Sequence, residues 1–125
     1  MGLLDGILGN ASLLDPADVE KEFDKIFAEK ETVAHAYKLI RDLFIFTNLR
    51  LILVDKQGIT GNKLNYHSIP YSSITHYSVE TAGHFDRDAE LVIWISGASE
   101  PVRKQFSKKV DIYEVQSILT SYVAA

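Results

Sequence analysis

The side chains best able to do chemistry are four histidines, a group of carboxylates near residue 88 and a short basic cluster. The histidines are His35, His67, His76 and His84. His67 and His76 could meet across adjacent strands, and His84 with Asp86 offers a nitrogen beside an oxygen. Neither spacing matches a zinc site, and a chain without cysteine has no thiolate ligand or thiol nucleophile. The histidines read as strand and loop residues in ordinary hydrogen bonds. Asp86, Asp88 and Glu90 lie around Arg87. Calcium needs about six oxygens, and the fuller acidic loop signature is absent. These carboxylates read as solvated charges guarding a strand. Ser72, Ser73 and Ser78 are near His76 in sequence, but neighbouring strand residues point to opposite faces, which gives no serine–histidine pair. No glycine-rich loop opens a helix to hold phosphate. The expectation is a chain that is not an enzyme and takes neither cofactor nor metal.

Arg103, Lys104, Lys108 and Lys109 form the basic cluster. Lysines on an end strand deter sheet-to-sheet pairing, which is one reading. Binding of an acidic partner is the other, either the acidic segment of a second copy or an anionic membrane. Nucleic acid is not expected, because four basic residues in an acidic chain come with no aromatic stacking platform.

These groups sit on a chain of 125 residues with 46% apolar and 24% charged residues, the composition of one globular domain. The net charge is −4, unevenly placed. Residues 1–31 hold eight acids against three lysines, and residues 32–125 hold nine acids against ten bases. The acidic excess therefore belongs to the N-terminal segment. No run reaches the ~18 apolar residues of a membrane span, and the N-terminus lacks the basic start of a secretory signal. A cytoplasmic, at most membrane-peripheral, location is expected.

Leu3, Leu4, Ile7 and Leu8 have helical spacing, weakened by Gly2, Gly6 and Gly9. Asp15-Pro16 starts a helix that should run over 16–30, with Val19, Phe23, Ile26 and Phe27 on one face and its acids on a solvated face. Beyond residue 31 the period falls to two. Strands are expected over 32–40, 43–54 with a turn at Thr47-Asn48, 62–69, 73–80, 90–96 and 102–108, about seven in all. Asp111 and Glu114 open a closing helix over 110–124, with Ile112, Val115, Leu119 and Tyr122 on its apolar stripe. This order predicts an antiparallel sandwich or barrel capped by a helix.

Residues 43–46 and 51–54 are apolar on both faces, more than a half-wet antiparallel sheet requires. Either the N-terminal helix of the same chain or a neighbouring subunit must cover the outer face.

The motifs Thr47-Asn48-x-Arg50, Asp55-Lys56-x-Gly58 and Ile69-Pro70-Tyr71-Ser72 occur in this order and spacing. With them the chain resembles the bacterial pleckstrin-homology (PH) domain family over about residues 15–124. The resemblance implies a PH-like barrel of two nearly orthogonal sheets, four strands and three, with a C-terminal capping helix. Phosphoinositide-binding PH domains use a long basic loop between their first two strands. Here that link is about Arg41-Asp42, flanked by Lys38, which is no phosphate clamp. Asn48 suits a left-handed turn residue, and Gly58 supplies positive φ. Arg50, on an apolar strand, should pair with a carboxylate or carbonyl at the rim. Pro70 should mark the corner between the sheets.

The resulting expectation is a helical extension over 1–31 and a barrel over 32–125. Together they form a non-catalytic module that self-associates into a symmetric homo-oligomer, a ring among the options, and scaffolds other proteins. The expected contact surface comprises Leu3, Leu4, Ile7, Leu8, Val19, Phe23, Phe27, Phe44, Phe46, Ile52 and Val54, with Arg103, Lys104, Lys108 and Lys109 as its electrostatic patch. The alternatives are a peripheral lipid-binding domain and a peptide-binding module.

Overall fold

The computed structural model describes residues 12–40, 42–57, 63–81 and 88–125. Asp15 caps the first helix: its Oδ1 accepts from the Ala17 amide at 2.9 Å, and Pro16 takes the first helical position. This helix, α1, covers Pro16–Glu22 and is followed by a 3-10 turn over Asp24–Ile26. It is shorter than the 16–30 expected. The Ile26 carbonyl, which a longer helix would bond to residue 30, accepts instead from Arg50 Nη2 at 2.6 Å. The Ala28 amide donates to Glu31 Oε1 at 2.9 Å. Side chains from beyond the helix capture the backbone groups that would have extended it.

The strands are β1 (Leu13–Leu14), β2 (Val33–Lys38), β3 (Asp42–Thr47), β4 (Arg50–Gln57), β5 (Lys63–Pro70), β6 (Ile74–Glu80), β7 (Ala89–Ile95) and β8 (Val102–Phe106). They form a five-stranded sheet in the order β1-β2-β3-β4-β5 and a three-stranded sheet in the order β6-β7-β8. The fold is thus mainly β, with two antiparallel sheets and a C-terminal helix, α2 (Ile112–Val123). The sequence led to four strands and three. The extra one, β1, pairs Leu13 with Tyr37 and Leu14 with Ala36, and two residues are too few to show a period.

The chain parts into two compact units, Met1–Ser68 and Ile69–Ala125. In the first, Val19 and Phe23 pack with Leu14, Val33, Ala36, Leu43, Ile45, Ile52 and Val54. Ile26, Phe27 and Leu64 lie half-buried against this cluster. Residue 31 is a boundary of charge only, since packing runs across it. The opposite face of the same strands carries Tyr37, Phe44, Phe46, Leu51 and Leu53, also buried. The doubly apolar strands therefore have α1 of their own chain over one face.

In the second unit, α2 lays Ile112, Val115 and Leu119 inward. Asp111 Oδ1 accepts from the Tyr113 amide at 3.0 Å and the Glu114 amide at 3.4 Å. Tyr122 stacks on Tyr71 at 4.6 Å, and the Tyr77 and Thr120 hydroxyls meet at 2.7 Å. Simple alternation along 73–80 fails at one point. Ile74 pairs with Ile95 and His76 with Trp94, so a bulge at Thr75 puts Ile74 and His76 on different faces. Pro70 ends β5, and a 3-10 turn over Tyr71–Ser73 leads into β6. Gly97 has φ +84°, the left-handed turn conformation that glycine tolerates best. Among the described residues no helix is long and apolar enough to cross a membrane.

Candidate functional site

Arg50 opens β4 and Glu31 precedes β2, so the β3–β4 hairpin brings the two together. Arg50 Nε donates to Glu31 Oε2 and Arg50 Nη2 to Oε1, both at 2.9 Å. The Thr47 hydroxyl donates to Glu31 Oε2 at 2.6 Å. The Glu31 side chain is wholly buried, while that of Arg50 keeps 25% of its surface. The Arg50 hydrogen bonds lower the Glu31 pKa to about 2 against the opposing effect of burial, with help from Thr47 and the Ala28 amide. Glu31 in turn raises that of Arg50. Arg50 was expected to find a carboxylate or a carbonyl, and it holds both.

Asn48 completes the tie. Its amide donates to the Thr32 carbonyl at 3.1 Å, its Oδ1 accepts from the Thr32 amide at 2.8 Å, and its Nδ2 donates to the Lys30 carbonyl at 3.1 Å. No described residue other than glycine has positive φ, so Asn48 serves by this pairing and not by a left-handed conformation. Glu20 Oε2 accepts from the Val33 amide at 2.7 Å. Glu20 therefore departs from the solvated acidic face read for this helix, and Glu31, just beyond it, is buried. The signal for Glu31 was Arg50 itself, a cation on an apolar strand that requires a nearby anion.

The fourth arm of Arg50 reaches β5, where Nη1 donates to Ser68 Oγ at 2.6 Å. This strand ends the five-stranded sheet. Asn65, Tyr66, His67 and Ser68 are all exposed, although successive residues face opposite sides. Tyr66 meets Phe23 edge-on at 6.1 Å and still keeps 41% of its surface. Other large apolar side chains left exposed are Leu13 on β1, Ile40 and Leu49 in turns, and Tyr113 on α2.

Seven residues of the expected contact surface are taken up by their own chain. Val19, Phe23, Phe44, Phe46, Ile52 and Val54 are buried within their own chain, and Phe27 is half-buried against the same core. A doubly apolar strand signals two covered faces without saying that the cover is another subunit. Leu3, Leu4, Ile7 and Leu8 lie outside the described residues, as do Gly58, His84, Asp86 and Arg87. The basic cluster is partly neutralised. Arg103 Nη1 lies 3.4 Å from Glu90 Oε1 across β7 and β8. Asp88 accepts from Gln105 Nε2 at 3.2 Å and from the Lys108 amide at 3.1 Å. Lys104 is half-buried on β8, and Lys108 and Lys109 are exposed beyond it. Of the histidines, His35 meets Phe46 edge-on at 6.3 Å, His76 stacks on Trp94 at 4.5 Å, and His67 is exposed on β5.

The family model for the bacterial PH domain matches residues 2–123. The chain is 58% identical over 122 residues to the uncharacterized protein YjqA of Bacillus subtilis (strain 168), across 97% of this chain and 98% of that one. It is similar to the crystal structure of a DUF1696 family protein with a pleckstrin-homology domain from Shewanella loihica PV-4. There the identity is 48%, the TM-score 0.81, and the coverage 92% of this chain and 98% of that one. A pleckstrin homology domain from Shewanella amazonensis SB2B gives 49% identity and a TM-score of 0.78 over 98% of both chains.

Proposed function

From the premise that the chain belongs to the bacterial PH domain family, we propose that it is a non-catalytic module that self-associates through the open end of its five-stranded sheet. The observation that supports this reading is β5. An end strand offers unpaired backbone N–H and C=O groups to any strand that can align with them. Proteins guard such ends with charge, shortness or bulges. The β8 end carries Arg103 and Lys104, and β1 has only two residues. By contrast β5 has eight residues, with Lys63 as its one charged side chain and Pro70 at its far terminus. Among the described residues nothing pairs with its outer edge, and Asn65, Tyr66, His67 and Ser68 in its middle are exposed. The two ends of this sheet are different strands, so a contact from one end to the other is heterologous and closes into a ring where the rotation allows.

Sedimentation equilibrium of the full chain from 1 to 100 μM tests the proposal. A species larger than the monomer is expected. Lysines at both Tyr66 and His67, one on each side of the strand, should shift it to monomer without unfolding it. A wild-type chain that stays monomeric at 100 μM overturns the reading.

A lipid-facing role has one specific support. Ile40, in the β2–β3 link, keeps 76% of its surface. Co-sedimentation with phosphatidylglycerol vesicles, reduced by Ile40→Ser, is the outcome this second reading requires.

A further inference from the structure

We infer that the bulge in β6 seats His76 on Trp94 as a proton-responsive contact, a neutral aromatic stack that becomes a cation–π contact when the imidazole takes up a proton.

The bulge at Thr75 turns His76 onto the face opposite Ile74. There its ring lies on the indole of Trp94, with centroids 4.5 Å apart and planes 14° apart. Thr75 holds the edge of the same ring. A threonine hydroxyl has one proton. Thr75 Oγ1 donates it to the Trp94 carbonyl at 3.2 Å. Toward His76 the same oxygen therefore accepts, and Nδ1 donates to it at 3.0 Å. The neutral ring thus carries its proton on Nδ1, and Nε2 is the nitrogen that takes up a second one. Thr75 grips the backbone of Trp94 while His76 covers its side chain, so the imidazole is positioned from two directions.

A cation within about 6 Å of a tryptophan ring centre is drawn to the negative face of the indole. An imidazolium at 4.5 Å meets that condition without moving. His76 is exposed, so solvent delivers the proton. Cross-strand register puts Ser78 and Glu80 of β6, Glu90 and Val92 of β7, and Arg103 and Gln105 of β8 on the same face. Arg103 lies 3.4 Å from Glu90, and Asp88 accepts from Gln105. Glu100 is in the turn beyond Trp94. Directly across from His76 stands Trp94, so the indole is the cross-strand partner that feels the new charge first. The helix α2 packs on the opposite face, where Tyr77 meets Thr120. Proton uptake also places a positive charge in the middle of β6, an end strand whose other charge is Glu80 at its terminus.

Trp94 is the one tryptophan of the chain, so its emission reads this contact directly. An imidazolium accepts an electron from excited indole and quenches it. Wild-type emission should fall by roughly a third or more from about pH 8 to about pH 5, the range in which histidine takes up its proton. The Glu31–Arg50 pair keeps its full strength above pH 4.5, so the fold persists across this range. His76→Phe keeps the stack and has no proton to gain, so its emission should stay level. In nitrogen NMR of the neutral wild type, Nδ1 of His76 should carry the proton, and Thr75→Val should shift it toward Nε2. After acidification the His76 ring protons should keep the upfield shift that the indole imposes. Level emission in wild type, or an equal fall in His76→Phe, overturns the inference. So does Nε2–H as the main wild-type tautomer, or loss of the upfield shift in acid, which would show that the proton releases the ring.

Discussion

Glu31 and Arg50, nineteen positions apart in the chain, meet through two nitrogen–oxygen contacts of 2.9 Å. The pair joins the segment after α1 to the β3–β4 hairpin and, through Ser68, to β5. Removing one partner strands the other, and a buried charge without its partner costs about 3–5 kcal/mol. Glu31→Gln should destabilise the fold by roughly 3 kcal/mol, less than the full range because Arg50 is partly solvated. Replacing both, Glu31→Leu with Arg50→Met, should cost clearly less than the two single changes added together. Urea denaturation of the four proteins measures this coupling.

Arg50→Lys keeps the charge and loses the fork. A lysine ammonium cannot serve both Glu31 oxygens in the same plane while reaching Ile26 and Ser68. A loss of about 2 kcal/mol is expected, at least half of what Arg50→Ala loses. Equal stability of wild type and Arg50→Lys would falsify the bidentate geometry as the source of strength.

The pair also sets an acid limit. The Glu31 pKa falls from 4.5 to about 2 on folding. The unfolded chain therefore binds a proton at higher pH than the folded one does. The stabilisation is complete above pH 4.5 and is lost as pH falls toward 2, about 3 kcal/mol in total at 1.36 kcal/mol per pH unit. Between pH 6 and pH 3 the urea midpoint of wild type should drop further than that of Glu31→Gln, which has no such proton to bind.

Asn48 distinguishes its two roles by substitution. Asn48→Asp keeps the oxygen that accepts from the Thr32 amide and loses the donor to the Lys30 carbonyl. Asn48→Ala loses both. The aspartate should cost about 1 kcal/mol and the alanine about 2 kcal/mol by chemical denaturation. A cost of alanine no greater than that of aspartate would show that the Thr32 bond contributes nothing.

Phe23 connects the end of α1 to β5. It is buried in the first unit and meets Tyr66 edge-on. Phe23→Ala should cost about 3–5 kcal/mol through lost transfer energy and an uncollapsed cavity. Faster hydrogen exchange at the Val33 amide, which Glu20 holds from α1, should accompany it. Full protection of Val33 in the variant would show that α1 stays docked without Phe23.

The amino-acid sequence alone determined the elements and the kind of sheet. Period-two alternation, Asp15-Pro16 and Asp111 at helix starts, and turns at Thr47-Asn48 and Pro70 are local signals, fixed by sterics and capping within a few residues. Three matters were decided only by tertiary structure. The end of α1 depends on Arg50, twenty-four positions beyond Ile26, and no local propensity reports so distant a competitor for a carbonyl. The role of Glu31 depends on the same fold closure, for nothing local singles out one acid among eight until the Arg50 guanidinium meets it and it is buried. Apolar strands at 43–46 and 51–54 required cover, but hydrophobic burial is non-directional and does not say whose atoms provide it. Folding set α1 over one face through Val19 and Phe23, so Val19, Phe23, Phe44, Phe46, Ile52 and Val54, read as a contact surface, became core. The same closure left the middle of β5 exposed, where Ser68 accepts a hydrogen bond from Arg50 of β4.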